Sequence, residues 1–213
     1  MKILFNDKIQ NTDAPIELKK PALSDIYKLN ETLIINFDSI EKINSIGIGN
    51  TDGTYFNING EVITFTENGL YIIKEIQTDT LEITTDATFI GRIGAGIACN
   101  IPIVIAKEPG FNSTAEPRIT LSGQVVEGAG GYNYKTISLD SRYKINELIM
   151  NEIKNGYKYI GLGYPFFIDL SVESYKLPFN KLYATERNQN QLIFQSGVKK
   201  YLYSYRFEFE ERF

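Results

Sequence analysis

Tyr55-Phe56-Asn57-Ile58-Asn59-Gly60-Glu61-Val62-Ile63-Thr64-Phe65 is the stretch whose reading decides the fold. Phe56 and Ile58 alternate with polar neighbours on one side of Asn59-Gly60, and Ile63 and Phe65 do so on the other. A period of two marks strands with one buried face. Asn-Gly between two such runs supplies the positive φ angles of a two-residue hairpin.

The same pattern extends in both directions. Residues 32–37, 42–48, 70–76, 81–84 and 88–97 read as further short strands rich in Ile, Thr, Tyr and Phe, with Asp52-Gly53 and Asn68-Gly69 as additional turn signals. Residues 22–29 are expected to add one helical turn. Beyond Lys107 the alternation lapses into Glu108-Pro109-Gly110-Phe111-Asn112-Ser113-Thr114, a linker or a long surface loop. The spacing therefore predicts a mainly β protein with a β-sandwich over residues 1–107, a linker over 108–117, and a β-rich α+β domain over 118–213.

In the second half, residues 118–126 and 132–139 read as strands around the glycine-rich tip Gly128-Ala129-Gly130-Gly131. One helix follows, with Asn146 as its cap, Ile145 and Met150 as a staple, and Gly156 as its stop. Ile145, Leu148, Ile149, Ile153 and Tyr157 are expected to form its buried face. The closing run Tyr201-Leu202-Tyr203-Ser204-Tyr205-Arg206-Phe207-Glu208-Phe209-Glu210 is aromatic at every odd position, a strand with one aromatic and one wet face.

Composition narrows the chemistry. The 213 residues include no histidine, no tryptophan and a single cysteine, Cys99. Histidine is the commonest general acid/base and metal ligand, and a lone thiol has neither a disulfide partner nor an imidazole to activate it. This argues against an enzyme, and no cofactor is expected. Net charge is −4, and the basic residues form no dense cluster beyond Lys19-Lys20 and Lys199-Lys200, so no nucleic-acid specificity is expected. The longest apolar run, residues 101–106, contains Pro102 and is too short for a membrane span. The N-terminal residues carry no signal-peptide pattern.

Four groups of residues could carry function. Gly91-Arg92-Ile93-Gly94-Ala95-Gly96 lacks phosphate-loop spacing, so its glycines read as bulges or close backbone approach. Asn50, Asp52, Asn57, Asp79 and Asp86 are oxygen donors near strand ends, without the spaced carboxylates of a calcium loop. Turn capping is the preferred reading for them. Glu108, Glu116, Asp140 and Asp169 could serve glycoside hydrolysis only as a facing pair roughly 5–10 Å apart, and no pair stands out. Aromatic residues cluster at Tyr132 and Tyr134 beside the glycine tip, and at Tyr157, Tyr159, Tyr164, Phe166 and Phe167. Aromatic patches bind sugars or anchor interfaces. Tyr132, Tyr134, Phe111, Asn50 and Asp52 are the candidate interface or ligand contacts, and no catalytic or metal residue is assigned.

Residues 44–51 (Asn-Ser-Ile-Gly-Ile-Gly-Asn-Thr), 55–60 and 87–93 resemble the galactose-binding-like β-sandwich, a jelly roll that serves as a carbohydrate- or partner-binding module. Residues 117–124, 141–145, 164–169 and the aromatic closing strand resemble the C-terminal part of bacteriophage tail structural proteins. In that family such domains follow a sandwich and build tail, hub or connector rings. The resemblance implies a non-enzymatic virion component, assembled in the host cytoplasm, that forms a homo-oligomeric ring and contacts other virion proteins. The alternative is a carbohydrate-binding or host-receptor recognition module.

Overall fold

The computed structural model describes residues 1–29, 32–103, 105–106, 110–113, 118–119, 125–126, 133–141, 145–160, 164–171, 179–186, 192–196 and 201–212. It is mainly β, with two large antiparallel sheets and one main helix. A short strand β1 (Lys2–Ile3) leads into a tight turn over Lys8–Asn11 and the single helical turn α1 (Ile16–Lys19). Then come β2 (Tyr27–Lys28), β3 (Thr32–Thr51), β4 (Tyr55–Ile58), β5 (Glu61–Thr64), β6 (Gly69–Thr85) and β7 (Phe89–Gly96). These six strands form one sheet in the order β2-β7-β3-β6-β4-β5.

Asn59 takes φ 47° and Gly60 φ 91°. Ile58 pairs with Glu61 around them, so the two-residue hairpin forms as the sequence predicts. Other expectations shift. The predicted strands 32–37 and 42–48 are one 20-residue strand, β3. Likewise 70–76 and 81–84 merge into β6, with register irregularities between Asn36 and Glu41 and between Ile43 and Ser45. The register slips across Asp38-Ser39 without ending the strand. The helical turn expected over 22–29 is instead the extended pair Tyr27–Lys28, which adds to the sheet edge against Phe89 and Ile90.

One face of this sheet encloses a sandwich-like core. Leu33, Ile35, Phe56, Ile58, Leu81 and Ile83 from one end pack in one cluster with Ile46, Ile48, Ile90 and Ile93 from the other.

The chain continues through β8 (Cys99–Asn100), β9 (Ile105–Ala106), β10 (Gly110–Ser113), β11 (Arg118–Ile119), β12 (Val125–Val126) and β13 (Asn133–Asp140). After the helix α2 (Glu147–Ile160) it forms β14 (Phe166–Asp169), β15 (Lys181–Glu186), β16 (Leu192–Ser196) and β17 (Tyr201–Glu211). The second sheet runs β10-β13-β17-β15-β14-β1-β8, with β16 on β17 and β9 on β13, while β11 and β12 pair separately. Strand β10 lies inside the stretch expected as a linker, because a ladder to β13 needs backbone partners and not side-chain alternation. Strand β1 joins this sheet between β14 and β8, so Met1, Ile3 and Phe5 enter the second core. The aromatic closing strand behaves as read: Tyr205, Phe207 and Phe209 are buried and Arg206, Glu208 and Glu210 half-buried.

Helix α2 corrects two readings. Asn146 does cap it, its Oδ1 accepting from Ile149 N at 2.9 Å. Leu148, however, is 74% exposed, while Met150, Ile153 and Gly156 are buried. Leu148 precedes Met150 by two positions, about 200° around the helix, and so faces away. Gly156 does not stop α2; it lets the helix approach the Phe5 ring, where a Cβ would fall 2.4 Å from Cγ.

The sheets meet across a strip of bare backbone. Gly47 and Gly94 are direct cross-strand partners on one face. A Cβ on Gly47 would stand 2.0 Å from Cδ2 of Phe167, and one on Gly94 would lie 3.1 Å from the same ring and from Leu4. Leu4, Leu23, Leu70, Phe167 and Tyr183 form the small cluster between the two main cores. The close-approach reading of the glycine motif is the one the structure displays.

Two expectations follow from this packing. Leu148→Asp leaves the urea-unfolding midpoint nearly unchanged, whereas Ile153→Asp, which buries an unpaired charge, lowers stability by several kcal/mol, about 3 or more. Gly47→Ala overpacks the junction and destabilises by about 1–3 kcal/mol. Combining it with Phe167→Leu gives a loss smaller than the sum of the two single losses, a coupling that thermal melts of all four proteins measure.

Candidate functional site

A cavity of about 500 Å³ lies where the N-terminal segment crosses the sheet junction. Its walls are Leu4, Phe5, Phe166 and Phe167, and its polar groups are Asp7, Gln10, Asn11 and Arg92, with Tyr164 and Pro165 at the side. Local structure places each of them. Strand β7 turns Arg92 to the same face as Gly94 and Gly96, since residues two apart share a face. Asp7 precedes the Lys8–Asn11 turn and caps it, accepting from Ile9 N at 3.1 Å. Tyr164 and Pro165 lead into β14, so the strand that delivers Phe167 to the glycine strip also builds one cavity wall.

A buried ion pair organises the site. Arg92 Nη2 lies 2.7 Å from Asp7 Oδ2, with Arg92 6% and Asp7 9% exposed. Arg92 Nη1 donates to Leu18 O at 2.7 Å, and Ala95 N donates to Asp7 Oδ1 at 3.1 Å. Gln10 Nε2 bridges Asp7 Oδ2 at 3.4 Å and Lys19 O at 3.2 Å. Arg92 Nε is buried without an acceptor. Burial pushes the Asp7 carboxyl above the usual carboxylate range, while Arg92 and the amides of Ala95 and Ile9 pull it back. Tyr183 donates to Pro21 O at 2.8 Å, and burial raises its phenol above the ordinary value against the pull of Arg92.

With its oxygens filled by donors, Asp7 is poorly placed to take a proton from a substrate. The arrangement offers directional hydrogen bonds and aromatic surface, which is binding chemistry. A second cavity of about 370 Å³ is lined by Phe5, Asn6, Ile97, Ala98, Cys99, Glu152, Asn155 and Gly156. There burial, and then Glu152, push the Cys99 thiol well up, so the sulfur is held as an unreactive thiol.

Of the residues singled out from sequence, Arg92, Tyr164, Phe166 and Phe167 line the first cavity, whereas the candidate contacts Asn50 and Asp52 line neither. Asn50, at φ 48°, donates from Nδ2 to Leu23 O at 2.6 Å and from its amide to Asn68 Oδ1 at 2.8 Å. Asp52 accepts from the amides of Thr88 at 2.9 Å and Phe89 at 3.2 Å. Asp86 reciprocates by accepting from Thr54 and Tyr55, both at 2.9 Å, so the two carboxylates clasp facing loops. The hydroxyls of Thr88 on Asp52 and of Thr54 on Asp86 contribute most, ahead of these amides, to holding both acids below the usual carboxylate range. Phe111 lies in β10 opposite Lys135, and Tyr134 is half-buried in β13 opposite Asn112. Tyr132 lies outside the described residues, as do Glu108 and Glu116. Asp169 is buried beside Lys181 at 3.7 Å and accepts from Ser171 N at 3.0 Å.

The chain matches no protein-family model, no curated protein and no solved structure. Among the described residues no helix is long and apolar enough to cross a membrane.

Sequence reasoning missed Asp7, Gln10 and Asn11, and it noted Arg92 only as a member of the glycine motif. A signal was present: an arginine on the same strand face as two glycines must find a buried partner. The identity of that partner, 85 positions away, had no local mark.

A third polar cluster sits inside the second core. Glu186, the last residue of β15, is buried opposite Phe209. Its carboxyl oxygens and the hydroxyls of Tyr205 and Tyr157 make no hydrogen bond of normal geometry, although Tyr205 lies close enough to Glu186 to interact with it. The rings of Tyr157 and Tyr205 stack at 6.3 Å. Burial pushes the Glu186 carboxyl up to about 8; Glu208 adds to the rise and Tyr205 opposes it. The folded chain thus keeps a proton that the unfolded chain sheds near its ordinary value of 4.5. Stability attributable to this group is full below that value, falls as pH rises towards about 8, and is flat above. Glu186→Gln is expected to remove that slope and to be more stable than the parent at alkaline pH, by at least about 1 kcal/mol. Denaturant midpoints across pH 5–9 for both proteins check this.

Proposed function

We propose that this chain is a non-enzymatic virion structural protein, a bacteriophage tail, tail-hub or connector component that forms a homo-oligomeric ring and binds neighbouring virion proteins. The observation that carries the reading is an apolar face beside an open sheet edge. Tyr55, Val62 and Ile34 share the outer face of the first sheet, because Val62 opposes Asn57, Asn57 opposes Thr84 and Thr84 opposes Thr32. Val62 is 59% and Ile34 56% exposed. Strand β5 is the last of its sheet, with β4 as its one ladder partner among the described residues. An edge strand with outward apolar side chains is a template for another chain, and a ring closes such edges. The resemblance of the second half to tail structural proteins supports the same role, and the particle would be assembled in the host cytoplasm.

Light scattering and native mass spectrometry test the reading. The expected result is a closed assembly whose mass is a fixed multiple of 24.2 kDa. Val62→Lys shifts the population towards the single chain without lowering the melting temperature. A monodisperse 24.2 kDa species at high concentration overturns the reading.

A further inference from the structure

We propose that the cavity between α2 and residues 97–99 is a binding site for a primary alkylammonium group, carried by a lysine side chain of a partner or by a small free amine. Its volume, about 370 Å³, lies near the lower end of the ~300–1,000 Å³ usual for small-ligand sites, which suits a single side chain or a small amine. One part of the lining is apolar: Phe5, Ile97 and Ala98. Gly156 contributes no side chain, because the Phe5 ring occupies the place its Cβ would take. The polar part is Asn6, Glu152 and Asn155. Glu152 and Asn155 are three positions apart on α2 and so lie on one face of it.

Charge selects the ligand. Among the described residues Glu152 takes part in no ion pair. The Met1 ammonium, which also acts on Cys99, donates instead to Ile101 O at 3.1 Å and is favoured by Asp169. Cys99 stays a neutral thiol, because burial opposes its ionisation. The lining therefore carries one negative charge, which repels an anion. One carboxylate beside a protonated thiol is too small a ligand set for zinc, which takes thiolate sulfur and four ligands. An ammonium has three N–H donors and no acceptor. The Glu152 carboxylate and the carboxamides of Asn6 and Asn155 supply three acceptor groups to match. The alkyl stem covers Ile97 and Ala98, as lysine stems cover apolar surface while their heads stay polar. A neutral alcohol of the same length gains the apolar contact but brings no counter-charge to Glu152. The inference stands apart from the ring reading, since neither Ile34, Tyr55 nor Val62 lines this cavity.

Amide NMR titration with n-butylammonium and with Nα-acetyl-lysine methylamide, run beside n-butanol and butyrate, tests the site. The expected result is a saturable shift of the Ile97, Ala98 and Gly156 amides with the ammonium compounds and none with butyrate. n-Butanol binds at least about threefold more weakly, and Glu152→Gln weakens ammonium binding by a similar factor, about that of an exposed charge pair. Glu152 is exposed on a helix, so the substitution leaves the thermal melt unchanged. Glu147→Gln, on the same helix but outside the cavity lining, leaves binding unchanged. Binding of the blocked lysine supports the site with a partner's side chain as occupant, and binding of butylammonium alone supports it with a free amine. No saturable shift from either compound overturns the proposal. So does equal affinity for n-butanol, binding that survives Glu152→Gln, or an equal loss in Glu147→Gln, which marks diffuse attraction to the helix.

Discussion

The ring of Phe167 rests on backbone at Gly47 and Gly94, and the arrangement of the two sheets depends on that contact. Side chains on both faces of β3 and β7 would hold the second sheet at an ordinary packing distance, with a layer of Cβ atoms between. Bare backbone lets a strand carrying Phe167 come close enough to bury Leu4, Leu23, Leu70 and Tyr183 with it. Packing of this kind is sensitive to a single methyl group, because interiors are filled as densely as organic crystals. Gly156 repeats the device on α2, where the absent side chain is replaced by the ring of Phe5. Both contacts bring the N-terminal residues and the C-terminal half onto common ground.

The Asp7–Arg92 pair is the polar counterpart of that junction. Desolvating two charges is costly, and their mutual attraction offsets it only when the remaining donors and acceptors are also served. Asp7 meets this condition through Ile9, Ala95 and Gln10; Arg92 meets it in part, through Leu18. The pair fixes the segment Lys8–Lys19 over β7 and leaves a cavity between that segment and β14. Stability and a polar-lined cavity therefore have the same origin. An apolar pair could hold the segment as firmly but would not leave hydrogen-bonding groups at the wall.

The outer face bearing Ile34, Tyr55 and Val62 belongs to β3, β4 and β5, whereas the cavity is formed by the N-terminal segment, β7 and the approach to β14. Glu186 adds a constraint of a different kind: a carboxyl among Tyr157, Tyr205 and Phe209 ties the second core to a protonation state.

Local chemistry made part of this legible from the sequence. Alternation determined the strands, Asn59-Gly60 determined a hairpin, Asn146 determined where α2 begins, and the odd-numbered aromatics of β17 determined its buried face. These features depend on residues within a few positions of one another, where backbone dihedrals and side-chain periodicity act. Tertiary structure decided the rest. It bent 32–37 and 42–48 into one strand, turned Leu148 outwards, kept Gly156 inside its helix, and set Asp7 against Arg92. Each of those outcomes depends on what a distant segment places nearby: Phe5 against Gly156, Phe167 against Gly47, Leu18 above Arg92. Periodicity says which side chains need burial, but only the packed neighbours determine which of them receive it.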